Sequence, residues 1–162
     1  MIREPFREVL LGVGLAAVRF GADRDEVRRH WGAPQQIEML DFLANGTMLA
    51  EQWQYPNRGI SADFHADDNY RLGSLEVSTP TYTICGRTLI GQSEQTVLRV
   101  LEDLGYGPYQ REDLIVMAQV VFDDVNLTLL FHDSILQSIQ WGYLWIDENT
   151  PAWPIYEPLR LC

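Results

Sequence analysis

Three histidines, His30, His65 and His132, are the first side chains to test for catalysis or metal binding. None belongs to an HExxH pair, a histidine cluster or a carboxylate–His–Cys spacing, so no zinc ligand set is written in the chain. His65 and His132 each follow a Phe at the end of an alternating stretch, which reads as a structural or surface histidine. Asp67-Asp68-Asn69 and Asp123-Asp124 are carboxylate pairs. With Asp63 the first pair could hold calcium loosely, but the glycine and distal glutamate of an EF-hand loop are missing. Asp and Asn also close turns by bonding their own backbone, and that accounts for both pairs without a ligand. Cys85, in Thr83-Ile84-Cys85-Gly86, would need a histidine or cation beside it to act as a nucleophile, and spacing supplies none. Gly12-Val13-Gly14 and Gly105-Tyr106-Gly107 complete neither phosphate-binding glycine pattern, and no serine stands in GxSxG. The expectation is no catalytic residue, no metal, no cofactor and no enzyme.

Binding chemistry is better represented. The 162 residues carry 23 acids against 12 bases, a net charge of −11. Such a field repels phosphate backbones and anionic lipid and draws basic proteins, so the expected partner is a basic protein, not nucleic acid or membrane. The same acidity would also serve solubility alone. Trp53, Tyr55, Trp141, Tyr143 and Trp145 fall on stretches read as strands. Trp and Tyr are the side chains that most often supply interface hot spots, at about 2 kcal/mol or more each, and ordinary core packing is the competing reading. The candidate partner-binding set is Asp63, His65, Asp67, Asp68, Tyr70, Glu76, Tyr143 and Trp145.

The elements that must position these residues are readable from caps and periodicity. Gly21-Ala22-Asp23-Arg24-Asp25-Glu26-Val27 and Gly91-Gln92-Ser93-Glu94-Gln95-Thr96-Val97 each open a helix, with Asp23 and Ser93 as N-caps. The helices end near Trp31 and Leu104, where Gly32 and Gly105 suit left-handed caps and Pro34 and Pro108 follow. After each helix come alternating stretches. Trp53-Gln54-Tyr55 and Ile60 to His65 lie over Val120-Val121-Phe122 and Leu127 to His132 at a constant shift. Ser74 to Val77 then matches Ser138 to Trp141. Alternation places Ile60, Ala62, Phe64, Leu75, Val77, Leu127, Leu129, Phe131, Ile139 and Trp141 under the helices. Ser61, Asp63, His65, Glu76, Thr128, His132 and Gln140 take the other face.

The expected fold class is therefore α+β, two tandem helix-plus-antiparallel-sheet repeats with the helices on one face of a continuous sheet. Residues 1–79 form the N-terminal repeat, 80–146 the C-terminal repeat, and 147–162 a proline-rich tail. Pro5 to Leu11 reads as a short helix and Thr150 to Cys162 as irregular. The apolar run Val9 to Val18 is about half the ~20 residues of a membrane span. Two distant cysteines, Cys85 and Cys162, make no disulfide framework, and a reducing cytoplasm fits them best.

The two helix starts, each with a glycine soon after the helix, resemble the helix signature of the BamE/SmpA-like, β-lactamase-inhibitor-protein-like superfamily. Leu129-Leu130-Phe131-His132-Asp133-Ser134-Ile135-Leu136-Gln137 before Trp141 is similar to the closing hairpin of its units. The likeness spans about residues 15 to 146. It implies binding proteins, an inhibitor using a concave sheet or an assembly lipoprotein. The chain departs from both in lacking a lipoprotein cysteine near its start and inhibitor-type disulfides. What the resemblance carries over is a sheet used as a surface for a protein ligand. The expected function is a non-enzymatic protein-binding module, an immunity protein or inhibitor neutralising a basic toxin or enzyme. The alternative is a structural or assembly subunit that forms homo-oligomers; an enzyme with a groove site around Cys85 ranks last.

Overall fold

The computed structural model describes residues 7–154. Val9–Leu10 (β1), Gly14–Leu15 (β2) and Val18–Arg19 (β3) form a small antiparallel meander. Gly14 is required inside it, because at φ +151° a Cβ would lie 2.0 Å from the Val18 carbonyl oxygen. Helix α1, Arg24–Trp31, follows, capped by Asp23, whose Oδ1 accepts the Glu26 N–H at 2.8 Å. Then come β4 (Gln36–Asp41), β5 (Leu49–Tyr55), β6 (Ile60–His65) and β7 (Arg71–Val77). A small hairpin, β8 (Thr83–Ile84) with β9 (Arg87–Thr88), leads to α2, Glu94–Asp103, whose Thr96 N–H is taken up by Ser93 Oγ at 3.2 Å. Strands β10 (Gln110–Asp113), β11 (Ala118–Phe122), β12 (Leu127–His132) and β13 (Ile135–Gly142) follow, and β14 (Leu144–Asp147) pairs with β15 (Thr150–Ala152).

The eight longer strands make one antiparallel sheet in the order β10-β11-β12-β13-β7-β6-β5-β4. Its middle is the β13–β7 pair, where Ile139, Gln140, Trp141 and Gly142 face Val77, Glu76, Leu75 and Ser74. Both helices and the β1–β3 meander cover the same side. There, Trp53, Phe64, Leu75, Val77, Val120, Leu129, Phe131, Ile139 and Trp141 share one core with Val27, Val97, Leu101, Leu15 and Phe20. Trp141 is buried, and its indole N–H donates to the Gly14 carbonyl at 3.0 Å.

This overturns the expected α+β fold class of two helix-plus-sheet repeats. Strand takes 47% of the described residues and helix 19%, so the protein is mainly β, built on one large eight-stranded sheet. The physical reason lies in the two strands not read from sequence, β4 and β10. Both are edge strands with almost every residue exposed, so neither carries a buried-face alternation. Two shorter expectations also change. Val9–Leu10, read as helix, is a strand buried against the core, while Pro5 and Phe6 lie outside the described residues. Thr150–Ala152, read as irregular tail, pairs with β14; the tail beyond residue 154 is likewise outside them. Cys85 is disulfide-bonded, so it offers no thiolate, and the argument from cysteine usage to a reducing compartment falls with it. The sequence's other cysteine is Cys162, outside the described residues. Among the described residues no helix is long and apolar enough to cross a membrane.

Candidate binding surface

The side of the sheet without helices is polar along its centre because the strands alternate. Register puts Gln52 opposite Asp63, Asp63 opposite Ser74, Ser61 opposite Glu76, and Glu76 opposite Gln140, which in turn faces Thr128. These side chains floor a trough of about 330 Å³. Leu40 and Phe42, at the end of β4 and just beyond it, wall one side, and Asn126 and Gly142 lie at the other.

Two carboxylates dominate the floor, and each is held in the same manner. Asp63 accepts from Gln52 Nε2 at 2.9 Å and from Ser74 Oγ at 3.3 Å. Glu76 accepts from Gln140 Nε2 and from Ser138 Oγ, the latter at 3.3 Å. A further amide, Gln54 Nε2, donates to Gln52 Oε1 at 2.7 Å. Neutral donors fix both carboxylates, and no arginine or histidine comes within ion-pair distance of either among the described residues. A half-buried carboxylate with neutral partners keeps its negative field and its remaining lone pairs for a cation.

His65, at the end of β6, stacks on Phe42 with ring centroids 5.9 Å apart and 26° between planes. Gly73 leaves room there, since a Cβ would sit 3.0 Å from His65 Cδ2 and 3.3 Å from Tyr143 Cε1. Tyr143 donates its hydroxyl to Asp68 Oδ2 at 3.2 Å and packs against Trp145 and Trp153, with centroids 5.1 and 4.6 Å away. Burial above all, then the Asp68 and Asp67 charges, pushes the Tyr143 phenol up to about 12. Asp67 is exposed in the turn between β6 and β7, and Trp145 is 52% exposed.

The structure therefore brings Asp63 and Glu76 together on the floor, with His65, Asp68 and Tyr143 linked through Phe42 and Gly73 at one end. Tyr70 does not join them. It is half-buried against the core, beneath the Arg24 guanidinium of α1 at 4.5 Å from its centroid. Its positive φ of 56° comes from the tight turn that starts β7. Gln52, Ser74, Ser138, Phe42 and Asn126 were not singled out from sequence. For Gln52, Ser74 and Ser138 the signal was present: Gln52 alternates with the buried Trp53, Ser74 shares parity with Glu76, and Ser138 with Gln140. For Phe42 and Asn126, which reach the trough from loops, there was none. Among the described residues no group of three or more His, Cys, Asp or Glu side chains is placed to hold a metal ion.

Comparison of the chain with family models, curated proteins and solved structures finds no match.

Proposed function

We propose that the chain is a protein-binding module whose open sheet face receives a cationic segment of its partner, as an immunity protein or inhibitor of a basic protein would. The observation that carries this reading is the pair Asp63 and Glu76, held by neutral amides and hydroxyls with no ion-pair partner among the described residues. An arginine or lysine entering the trough would meet two carboxylates below and the Phe42 ring at the side, where cation–π attraction adds to the charge. The net charge of −11 would steer such a partner from a distance, and that part of the attraction weakens with salt. Leu40 and Phe42 supply apolar surface at the rim, close to where the docking energy of a protein partner concentrates.

A pull-down from the native host at low and moderate salt, with wild type beside the Asp63→Asn/Glu76→Gln double variant, tests it. A basic protein held by wild type, weakened by salt and lost by the double variant, is the expected result. Equal capture by both forms defeats the reading.

One observation favours a second reading, self-association. Edge strand β4 exposes Ile37 (48%) and Met39 (56%) beside its unpaired backbone groups, and such edges recruit further strands. A mass that rises with concentration in light scattering, and falls back on Met39→Lys, would support it. A monomer at all concentrations ends it.

A further inference from the structure

A second cavity lies on the helix side, away from the trough, and the charge of its described lining runs against the rest of the chain. It holds about 610 Å³ between the β2–β3 turn, the C-terminal end of α1, the turn after β5 and the segment before β8. In a chain with 23 acids, none of the described residues lining this cleft is acidic, whereas Arg7, Arg58 and His30 all line it. Arg58 is exposed, and among the described residues no carboxylate stands within ion-pair distance of it. Trp31, Tyr82 and Ile60 provide flat and apolar wall. The Tyr82 hydroxyl donates to the Arg58 carbonyl at 2.6 Å, which fixes both the ring and the turn that carries Arg58. Burial raises the Tyr82 pKa, and the Arg58 and Arg7 charges pull it back down, so both guanidiniums act on the same spot.

We infer that this cleft binds a small aromatic oxyanion, a carboxylate or phosphate ester whose head group meets Arg58 and whose ring lies against Trp31 and Tyr82. The volume falls within the ~300–1,000 Å³ of small-molecule sites. Guanidinium groups match carboxylate and phosphate oxygens in paired hydrogen bonds, which a diffuse basic patch does not provide. The surrounding negative field opposes anions at long range, so a strong local site is needed to overcome it. Salt at physiological strength screens that opposing field beyond about 8 Å while leaving contact pairs largely intact. Anion binding here should therefore tolerate salt, unlike attraction of a cation to the open face.

Calorimetric titration with phenyl phosphate, benzoate, inorganic phosphate and benzylamine tests the inference on the full chain. Phenyl phosphate or benzoate is expected to bind one to one, at least tenfold more tightly than inorganic phosphate, with benzylamine showing no heat. Arg58→Gln should weaken that binding at least tenfold, and Arg99→Gln on α2 should leave it unchanged. The Asp63→Asn/Glu76→Gln variant should also retain it, which separates this cleft from the open-face reading. Absence of heat with both aromatic anions overturns the inference, as does an Arg58→Gln affinity equal to wild type.

Discussion

Asp63 and Glu76 occupy adjacent strands of a single lattice, whereas Arg7, His30 and Arg58 reach their cleft from three separate segments of chain. In the trough, each carboxylate is fixed by side chains on neighbouring strands, and the strands themselves rest on the core through Trp141, Leu75 and Phe64. In the cleft, His30 and Arg58 are exposed at a helix end and on a turn, and the aromatic walls are tied down by the Tyr82–Arg58 carbonyl bond and the Trp31–Tyr55 contact. The difference teaches where each surface obtains its order: from backing in one case, from a few long-range hydrogen bonds in the other.

If backing orders the trough, removing it should cost more than any change made on the floor. Trp141 is buried, spans from sheet to meander, and satisfies the Gly14 carbonyl. Trp141→Ala should destabilise the fold by about 3–5 kcal/mol, combining lost burial with the cavity left behind. Urea unfolding followed by circular dichroism measures this. A loss below about 0.5 kcal/mol, within the range of ordinary surface changes, would mean that the floor is not held from beneath.

Gly142 offers a smaller perturbation at the trough itself. An added Cβ would stand 2.7 Å from Asn126 Nδ2 and 2.9 Å from the Gly73 carbonyl oxygen, and the latter is backbone that cannot swing aside. Gly142→Ala should cost about 1–3 kcal/mol, the usual range for overpacking. It should also disturb the bond from Asn126 Nδ2 to the Tyr143 carbonyl. An unchanged unfolding midpoint would show that β13 and β7 can separate there at no cost.

The two regions also differ in how far sequence reveals them. Period-two alternation alone put Ile60, Ala62 and Phe64 on one face and Ser61, Asp63 and His65 on the other, because pleating leaves no alternative once a strand exists. The caps Asp23 and Ser93 likewise announced both helices. The class of fold did not follow from those parts. Gln36–Asp41 and Gln110–Asp113 gain their strand structure from a neighbour on one side and bury almost nothing, so no periodicity marks them. Tyr70 looked like a surface aromatic because nothing local reveals that α1 brings Arg24 over it. The cleft was wholly hidden: residues 7, 30, 58 and 82 have no common spacing, and only the folded chain collects them.

Two tyrosines report on the two fields directly, through an effect smaller than either stability change. Tyr143 lies beside acids and Tyr82 beside arginines; burial raises both pKa values, Tyr143 to about 12, but charge pushes them in opposite directions. Asp68→Asn should lower the Tyr143 midpoint, because the Asp68 charge and its hydrogen bond favour the protonated phenol. Arg58→Gln should raise that of Tyr82, because the arginine favours the phenolate. The stability linkage has a definite sign. A phenol whose folded pKa exceeds its unfolded value of about 10 contributes fully below that pH. The contribution of Tyr143 then fades as pH rises from there through its folded value near 12. Tyr143→Phe, which keeps the ring against Trp153, should therefore flatten part of the alkaline fall in stability. Carbon-13 resonances of labelled tyrosine rings resolve the two midpoints separately. If net charge, and not the local groups, governed both surfaces, each substitution would move both tyrosines together, in one direction and by similar amounts. A shift of Tyr143 alone for Asp68→Asn, and of Tyr82 alone for Arg58→Gln, would tie each surface's field to the few side chains that line it.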